Sequence, residues 1–414
     1  MNPAEAERFL LSLELFGMRF GLDRMQRLMT VLGHPQRRFD SVHVVGTNGK
    51  SSTARMIAAI LARHGLRTGA YLSPHLISFG ERIRIDDRDL EPAAFAAAIR
   101  RAARAKELVD RSLAGDDQVT QFELLTAAAY SELARCGVEA AVIEAGLGGR
   151  YDATNVIPSA VQVLTGVGLE HTRWLGPTIA DIAAEKLDVV RAGATLVLGA
   201  DLHPDAAAIA ASVADQRGAR IVRAPAQPGV AVGALGSFQR RNFALARAAA
   251  EAYLGELAPA ALAAAAADVR VPGRLQVIGA EPLTLVDGAH NPDGMAALAE
   301  SLAEPSLAGH DRLVVVLSIL DDKDAAGMVA AIVELCDALV FTCSQNPRAL
   351  PAPTLQSLAR QLGGPPSEIV RDPHAALRRG RELAGATGTV LATGSIYLVA
   401  DLLRPATKER ASML

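Results

Sequence analysis

The sequence predicts an α/β protein. A P-loop-type parallel-sheet domain spans residues 1–271, and a smaller Rossmann-like α/β domain spans 272–414. Three observations lead there. Short β-branched runs alternate with alanine-rich helical patterns, which implies a parallel sheet covered by helices. One run, Val42-His43-Val44-Val45, ends in the glycine-bracketed turn Gly46-Thr47-Asn48-Gly49, followed by Lys50, Ser51 and Ser52 as a helical pattern begins. A fresh alternation then starts after Pro272-Gly273-Arg274.

The glycine-bracketed turn is the most informative of these. Its glycines let the backbone turn tightly, so that N–H groups converge on phosphate oxygens. The new helix adds its positive N-terminal end. Lys50 reaches terminal phosphates, and a serine hydroxyl can hold Mg²⁺. Gly46, Thr47, Asn48, Gly49, Lys50, Ser51 and Ser52 are therefore assigned to a nucleoside triphosphate.

Element by element, residues 3–32 read as helical, ending near Gly33. Strand 41–45, the turn and helix 50–64 form one unit, stopped by Gly65. A strand follows from Leu66 to Leu72, then helices at 92–109 and 121–135. Strand 138–144 ends at Glu144, strand 160–165 leads to Gly168-Leu169-Glu170-His171, and 239–254 reads as a helix. In the second domain, strands 283–287, 312–319, 337–342 and 389–393 precede helices 292–303, 324–335, 353–362 and 395–404. The alanine runs at 206–211 and 260–267 read as helical.

Composition narrows the class. The chain has 414 residues, half of them hydrophobic, enough for two or three domains with a large core. Its net charge of −3 gives no reason to expect nucleic-acid binding. Apolar runs are broken before the ~18 residues that a membrane span needs. Met1-Asn2-Pro3-Ala4-Glu5 lacks the basic and apolar segments of a signal peptide. Cys136, Cys336 and Cys343 show no metal-ligand spacing, which fits a reduced cytoplasmic protein. Of 42 basic residues only Lys50, Lys106, Lys186, Lys323 and Lys408 are lysines. Lysines retained in an arginine-rich chain should be enriched where a compact or modifiable amine is needed, and Lys50, Lys186 and Lys323 fall inside motifs.

A second stretch, Val142-Ile143-Glu144-Ala145-Gly146-Leu147-Gly148-Gly149-Arg150-Tyr151-Asp152-Ala153-Thr154-Asn155, puts an acid at the end of an apolar run and then a glycine-rich loop. Together with the phosphate turn it resembles the folylpolyglutamate synthase/dihydrofolate synthase family, a branch of the Mur-type ATP-dependent amide ligases. The resemblance is collinear over nearly the whole chain. It includes Ser73-Pro74-His75-Leu76, Glu81-Arg82-Ile83-Arg84-Ile85, Thr120 with Phe122-Glu123, Glu170-His171, Glu185-Lys186, Pro272-Gly273-Arg274 and Asp287-Gly288-Ala289-His290-Asn291-Pro292.

The resemblance implies a Mur ligase-like fold and a set of site residues. Ser52, Glu144, His171 and Lys186 surround one or two Mg²⁺ ions, with Lys186 carbamylated by CO₂ so that a cation becomes a carboxylate-like ligand. The folate branch has Gly directly after the lysine, where this chain has Ser51. Two adjacent serines leave two candidates for the hydroxyl that faces Mg²⁺, and alignment selects Ser52. Glu170 replaces the usual Asp, and Leu187-Asp188-Val189-Val190 departs from the usual Ala-Gly-Ile-Ile. Asn242, Arg274, Asp287 and His290 match nucleotide contacts, and Lys323 a phosphate or amino-acid contact; Lys50, Lys186, His290 and Lys323 are the implied catalytic set. Ser73, Arg82, Thr120, Phe122 and Asp152 match acceptor positions. A phenyl face and a carboxylate suit a flat aminopterin, for stacking and for paired N–H donors.

The implied reaction is ATP-dependent ligation of L-glutamate to dihydropteroate, to folate polyglutamates, or to both, through an acyl phosphate. Two domains joined near 272 suggest closure over ATP. The expected partners are small molecules, with no nucleic acid and no membrane, and the expected state is a cytoplasmic monomer. Three alternatives stand beside it: folylpolyglutamate synthase activity alone, a Mur-type ligase with a changed acceptor, or a nucleotide-binding module without ligase activity.

Overall fold

In the computed structural model, which describes residues 1–13, 21–304, 307 and 311–404, the chain separates into two compact units. Among these residues, those up to 233 and 241–269 form one; residues 234–240 join those between 270 and 404 in the other. The first unit carries α1 (Pro3–Leu11), α2 (Asp23–Val31), β1 (Asp40–Val45), α3 (Lys50–Arg63), β2 (Thr68–Tyr71), β3 (Ile83–Ile85), β4 (Arg88–Asp89), α4 (Pro92–Asp110), α5 (Gln121–Arg135), β5 (Ala140–Glu144) and β6 (Val161–Leu164). After these come α6 (Thr172–Leu175), α7 (Ile179–Leu187), β7 (Thr195–Leu198), α8 (Pro204–Arg217), β8 (Arg220–Arg223), α9 (Ser237–Leu254) and α10 (Pro259–Asp268). One helix of this series, α9, begins in the second unit and ends in the first, the division falling between residues 240 and 241.

Among the described residues the first sheet has the order β4-β3-β2-β5-β1-β6-β7-β8. β2, β5, β1, β6, β7 and β8 run parallel, while β3 and β4 add an antiparallel edge. β1 is central and, beyond the exposed Asp40, buried on both faces, which is why Val42–Val45 reads as an apolar run broken only by His43. The chain leaves β1 toward β2 on one side and later fills β6 on the other. The loops after β1, β5 and β6 thus meet at a topological switch point, the place where open α/β sheets bind ligands.

The second unit's sheet has the order β13-β12-β11-β14-β10-β9, with β9 (Gln276–Ala280) antiparallel to β10 (Leu283–Val286). β11 (Leu313–Leu317), β12 (Ala338–Phe341), β13 (Ser367–Ile369) and β14 (Thr389–Thr393) complete it in parallel. No helix among the described residues is long and apolar enough to cross a membrane.

The structure corrects several expectations. The helix expected over 3–32 is two helices: α1 ends at Leu11 under a Ser12 cap, and α2 begins at Asp23 after Gly21 (φ 138°); residues 14–20 of that expectation lie outside the described residues. The strand expected over 66–72 is only Thr68–Tyr71. β3, β4, β7, β8, β9, β13, α7 and the helix Pro373–Ala384 were not expected from the sequence.

A buried ion pair fixes α5 against α2. Arg24 Nε donates to Glu123 Oε1 at 3.0 Å, and Arg24 also reaches Asp117 at 3.3 Å. Both Arg24 and Glu123 are buried. Removing one partner of such a pair strands a charge away from water. Arg24→Ala should therefore lower the unfolding free energy of the first unit by about 3–5 kcal/mol. Arg27→Ala, which breaks the exposed pair with Asp23, should cost no more than ~1 kcal/mol. Thermal unfolding followed by circular dichroism compares the two, and equal midpoints would exclude the difference.

Candidate active site

The turn after β1 opens into α3 without a side-chain cap. Its N-cap is Gly49, at φ 84°, a left-handed conformation that glycine adopts freely. Gly49 has no side chain with which to cap the first N–H groups of α3, a local feature that suits an anion site at a helix N-terminus. Asn242 lies against this turn. A Cβ on Gly49 would come 2.6 Å from Asn242 Oδ1.

Two amines hold the carbonyl side of the turn. Lys50 Nζ donates to the Thr47 carbonyl at 3.0 Å, and Lys186 Nζ donates to the Gly46 carbonyl at 2.9 Å. The loop after β6 grips the turn as well. The Thr47 N–H donates to the Gly166 carbonyl (2.8 Å), the Gly168 N–H to Thr47 Oγ1 (3.0 Å), and Thr165 Oγ1 to the Asn48 carbonyl (2.6 Å). Lys186 is 4% exposed, and its ammonium is brought down to about 7, first by burial and then by the neighbouring Lys50 cation. A large fraction of Lys186 is therefore neutral amine at physiological pH.

Glu144, at the end of β5, is buried beside the turn. Its Oε2 accepts from the Ser73 N–H at 2.9 Å and its Oε1 from Ser51 Oγ at 2.8 Å. Ser52 is also buried, and its hydroxyl makes no hydrogen bond to another described residue. His171 has φ 54°, and its Nε2 lies 3.9 Å from Glu170 Oε1. Glu144 and Ser52 offer the hard oxygen donors that suit Mg²⁺, and a hydroxyl that bonds no other described residue fits a ligand role. Lys186 as an amine does not suit Mg²⁺; as a carbamate it would.

The expected acceptor residues lie in the same unit. The Phe122 ring is half-buried and rests on Gly146, where a Cβ would approach it to 2.6 Å; its centroid is 6.1 Å from that of Tyr71. Thr120 caps α5. Its hydroxyl donates to Glu123 Oε2 (3.0 Å) and accepts from the Glu123 N–H (3.3 Å). Arg82 is buried, donates from Nε to His75 Nδ1 at 2.9 Å, and lies over the Phe79 ring at 5.4 Å.

Asp152 organises its own loop. Its Oδ2 accepts from the Leu147 N–H (2.8 Å); its Oδ1 accepts from the Thr154 N–H (3.0 Å) and, in a short bond, from the Thr154 hydroxyl. Burial raises its carboxyl above the ordinary value while these donors pull it back. His43 extends this chain. Its Nε2 is 2.8 Å from Thr154 Oγ1. The Thr154 proton goes to the carboxylate, so the hydrogen on His43 must sit on Nε2. Burial first, and then Arg191, hold His43 down to about 3, so it remains neutral. Neither His43 nor Thr154 was expected in the site. The signal was available: a histidine in an otherwise apolar buried strand needs a hydrogen-bond partner.

In the second unit, Asp287 is buried, with Oδ2 accepting from the Leu275 N–H (2.9 Å) and Oδ1 from the Ala289 N–H (2.8 Å). It thereby ties turn 273–275 to 287–289. Arg274 lies at Gly288, and His290 Nδ1 is 2.9 Å from the Gly288 carbonyl. Asn291 caps the helix Pro292–Leu302 through the Gly294 N–H. Lys323 Nζ lies 3.7 Å from Asp322.

A phosphate turn, an acid at the next strand's end and a buried lysine define a nucleotide-dependent phosphoryl- or acyl-transfer site, and the comparisons with known proteins give its class. A family profile described as "Mur ligase, glutamate ligase domain" matches residues 273–396. The dihydrofolate synthase/folylpolyglutamate synthase of Mycobacterium tuberculosis is 36% identical over 83% of this chain and 78% of its own length. A probable bifunctional folylpolyglutamate synthase/dihydropteroate synthase of Haloferax volcanii is 35% identical over 97% of this chain, which spans about half the length of that relative. A solved structure, the bifunctional folylpolyglutamate synthase/dihydrofolate synthase of Yersinia pestis complexed with AMPPNP and a manganese ion, superposes with a TM-score of 0.85 at 30% identity, covering 97% of each chain. The protein is thus a Mur-type ATP-dependent ligase in class. It belongs to the dihydrofolate synthase/folylpolyglutamate synthase family.

The glycine-rich loop packs on the backbone of α7. A Cβ on Gly149 would sit 2.8 Å from the Glu185 carbonyl oxygen and closer still to that of Lys186, and the Arg150 N–H donates to the Glu185 carbonyl at 3.0 Å. Gly149→Ala should destabilise the first unit by about 1–3 kcal/mol, whereas Gly166→Ala, with no atom within 4 Å of the added carbon, should change stability by less than ~0.5 kcal/mol. Chemical denaturation of the two variants tests this, and an unchanged midpoint for Gly149→Ala would show that α7 can retreat from the loop.

Proposed function

We infer that this chain ligates L-glutamate to dihydropteroate, to reduced folates, or to both, driven by ATP. The observation that carries the reading is the meeting of an uncapped helix N-terminus, Lys50, Glu144 and Lys186 at one sheet edge, in the same unit as the Phe122 shelf. A carboxylate is a poor electrophile. Transfer of the γ-phosphoryl group of ATP to an acceptor carboxylate oxygen gives an acyl phosphate and ADP. The amine nitrogen of L-glutamate then attacks the acyl carbon and gives up a proton. The carbon–oxygen bond to phosphate breaks, leaving an amide and inorganic phosphate.

Lys50 offsets charge on the transferring phosphoryl group, and the α3 N-terminus orients it. Phe122 offers one ring face to a flat pterin. Ser52, Glu144 and His171 would hold the divalent cation, which when bound neutralises phosphate charge. For Asn242, Arg274, Asp287, His290 and Lys323, the assignment to nucleotide, phosphate and amino acid is supported by the family resemblance.

Lys186 we assign as a carbamate. Its neutral amine would attack CO₂, forming a nitrogen–carbon bond and releasing a proton, and burial makes that neutral form accessible. Arginine cannot follow this route. Lys186→Arg should therefore abolish turnover in a folded protein, and near-normal rates would remove the carbamate from the scheme. The three cysteines, each a free thiol, support a reduced cytoplasmic location, and we assign the chain as a monomer; light scattering at micromolar concentration should return a single mass near 43.3 kDa.

The direct test is product mass after incubation with ATP, Mg²⁺, L-glutamate and either dihydropteroate or tetrahydrofolate. A one-glutamate gain on both acceptors is the expected result. Gain on tetrahydrofolate alone would restrict the enzyme to polyglutamylation. Gain on neither, with ATP still bound, would favour a changed acceptor or a nucleotide-binding module.

A further inference from the structure

The two serines after Lys50 do different things. Ser51 Oγ donates to Glu144 Oε1 at 2.8 Å, with the Ser73 carbonyl a longer alternative acceptor at 3.3 Å. The Ser73 N–H holds the other carboxylate oxygen, Oε2, at 2.9 Å. Three segments thus meet on one carboxyl group: the first turn of α3, the residues after β2 and the end of β5. Glu144 is 1% exposed, so water does not compete for these contacts. Ser52, by contrast, is buried without a side-chain partner among the described residues.

The torsion that orients a carboxyl plane is soft and roughly two-fold. One donor on each oxygen removes that freedom. The side chain at 51 does not stand idle over the turn: in the first turn of α3 it reaches across to β5. A glycine, which the folate-branch resemblance would place here, offers no such donor.

We propose that Ser51 is a positioning residue for the divalent cation, fixing the Glu144 carboxylate in the orientation in which it meets the metal. This rests on the assignment of Glu144 as a cation ligand. Groups that orient a ligand in this way commonly change metal affinity by about 10–100-fold when removed. Ser51 therefore acts on cation affinity through Glu144, while Lys50 and the α3 N-terminus act on the phosphates directly.

The test uses the full chain with ADP and Mn²⁺ as the probe. Bound Mn²⁺ is counted by electron paramagnetic resonance, and the waters on it by proton relaxation. Ser51→Ala and Ser51→Gly should weaken Mn²⁺ binding by about 10-fold or more, with the number of bound waters unchanged. Ser51→Thr, which keeps the hydroxyl, should bind as the parent does. Circular dichroism melting of each variant shows whether it is folded. Mn²⁺ affinity within twofold of the parent in a folded Ser51→Ala protein would overturn the proposal. So would one additional water on the metal, because Ser51 would then be a ligand itself. Glu144→Gln separates the two layers of the argument: if it binds Mn²⁺ like the parent, the metal assignment of Glu144 fails and the role of Ser51 falls with it. If it loses Mn²⁺ while Ser51→Ala does not, only the role of Ser51 fails.

Discussion

One contact constrains most of the first unit: the Lys186 amine on the Gly46 carbonyl, across 140 residues of sequence. Burying an amine is unfavourable unless it is paired, and a neutral one needs a partner it can donate to. The carbonyl of the phosphate turn is that partner. Satisfying it fixes where α7 must end its approach, and α7 in turn sets the floor for the glycine-rich loop at Gly149. The phosphate turn, the helix bearing Lys186 and the loop bearing Asp152 are therefore parts of one packed object rather than three neighbouring loops.

Hydrogen bonds rather than apolar packing decide the details around that object. Asp152 spends both oxygens on its own loop, and His43 fixes the donor direction of Thr154 from the central strand. Thr120 and Glu123 close a capping box that Arg24 anchors from α2. In such a network few side chains have spare rotamers, so groups facing a substrate are held before it arrives. The same economy appears in the second unit, where Asp287 holds two backbone segments while standing among the expected nucleotide contacts.

Much of this was legible in the sequence where a local rule applies. The strand–turn–helix at 40–63 is dictated by an apolar run, two glycines and a lysine in fixed order, and the acid at 144 by its place at the end of a buried strand. Legibility failed where the deciding partner is far away in sequence. The edge strands β3 and β4 are three and two residues long and exist because β2 offers β3 an edge and β3 offers one to β4. The 3–32 pattern reads as one helix, yet α1 ends at Leu11 and α2 begins at Asp23. Arg24 and Glu123, like His43 and Thr154, are recognisable as pairs only once the fold has brought them together. Resemblance assigned Thr120 and Asp152 to the acceptor but said nothing of their hydrogen bonds, which run to the α5 cap and to the loop's own backbone.

The close packing of Gly149 on α7 also limits how the proposed acceptor loop can change over time. The loop backbone has no room to move toward the helix, so insertions or bulky replacements at its base would dislodge Lys186. The Arg150 side chain reaches back to Glu185 of α7 at 3.6 Å, whereas variation is easiest at exposed positions such as Tyr151, 45% exposed. A lineage altering its acceptor preference would be expected to write the change there first, leaving the glycines untouched.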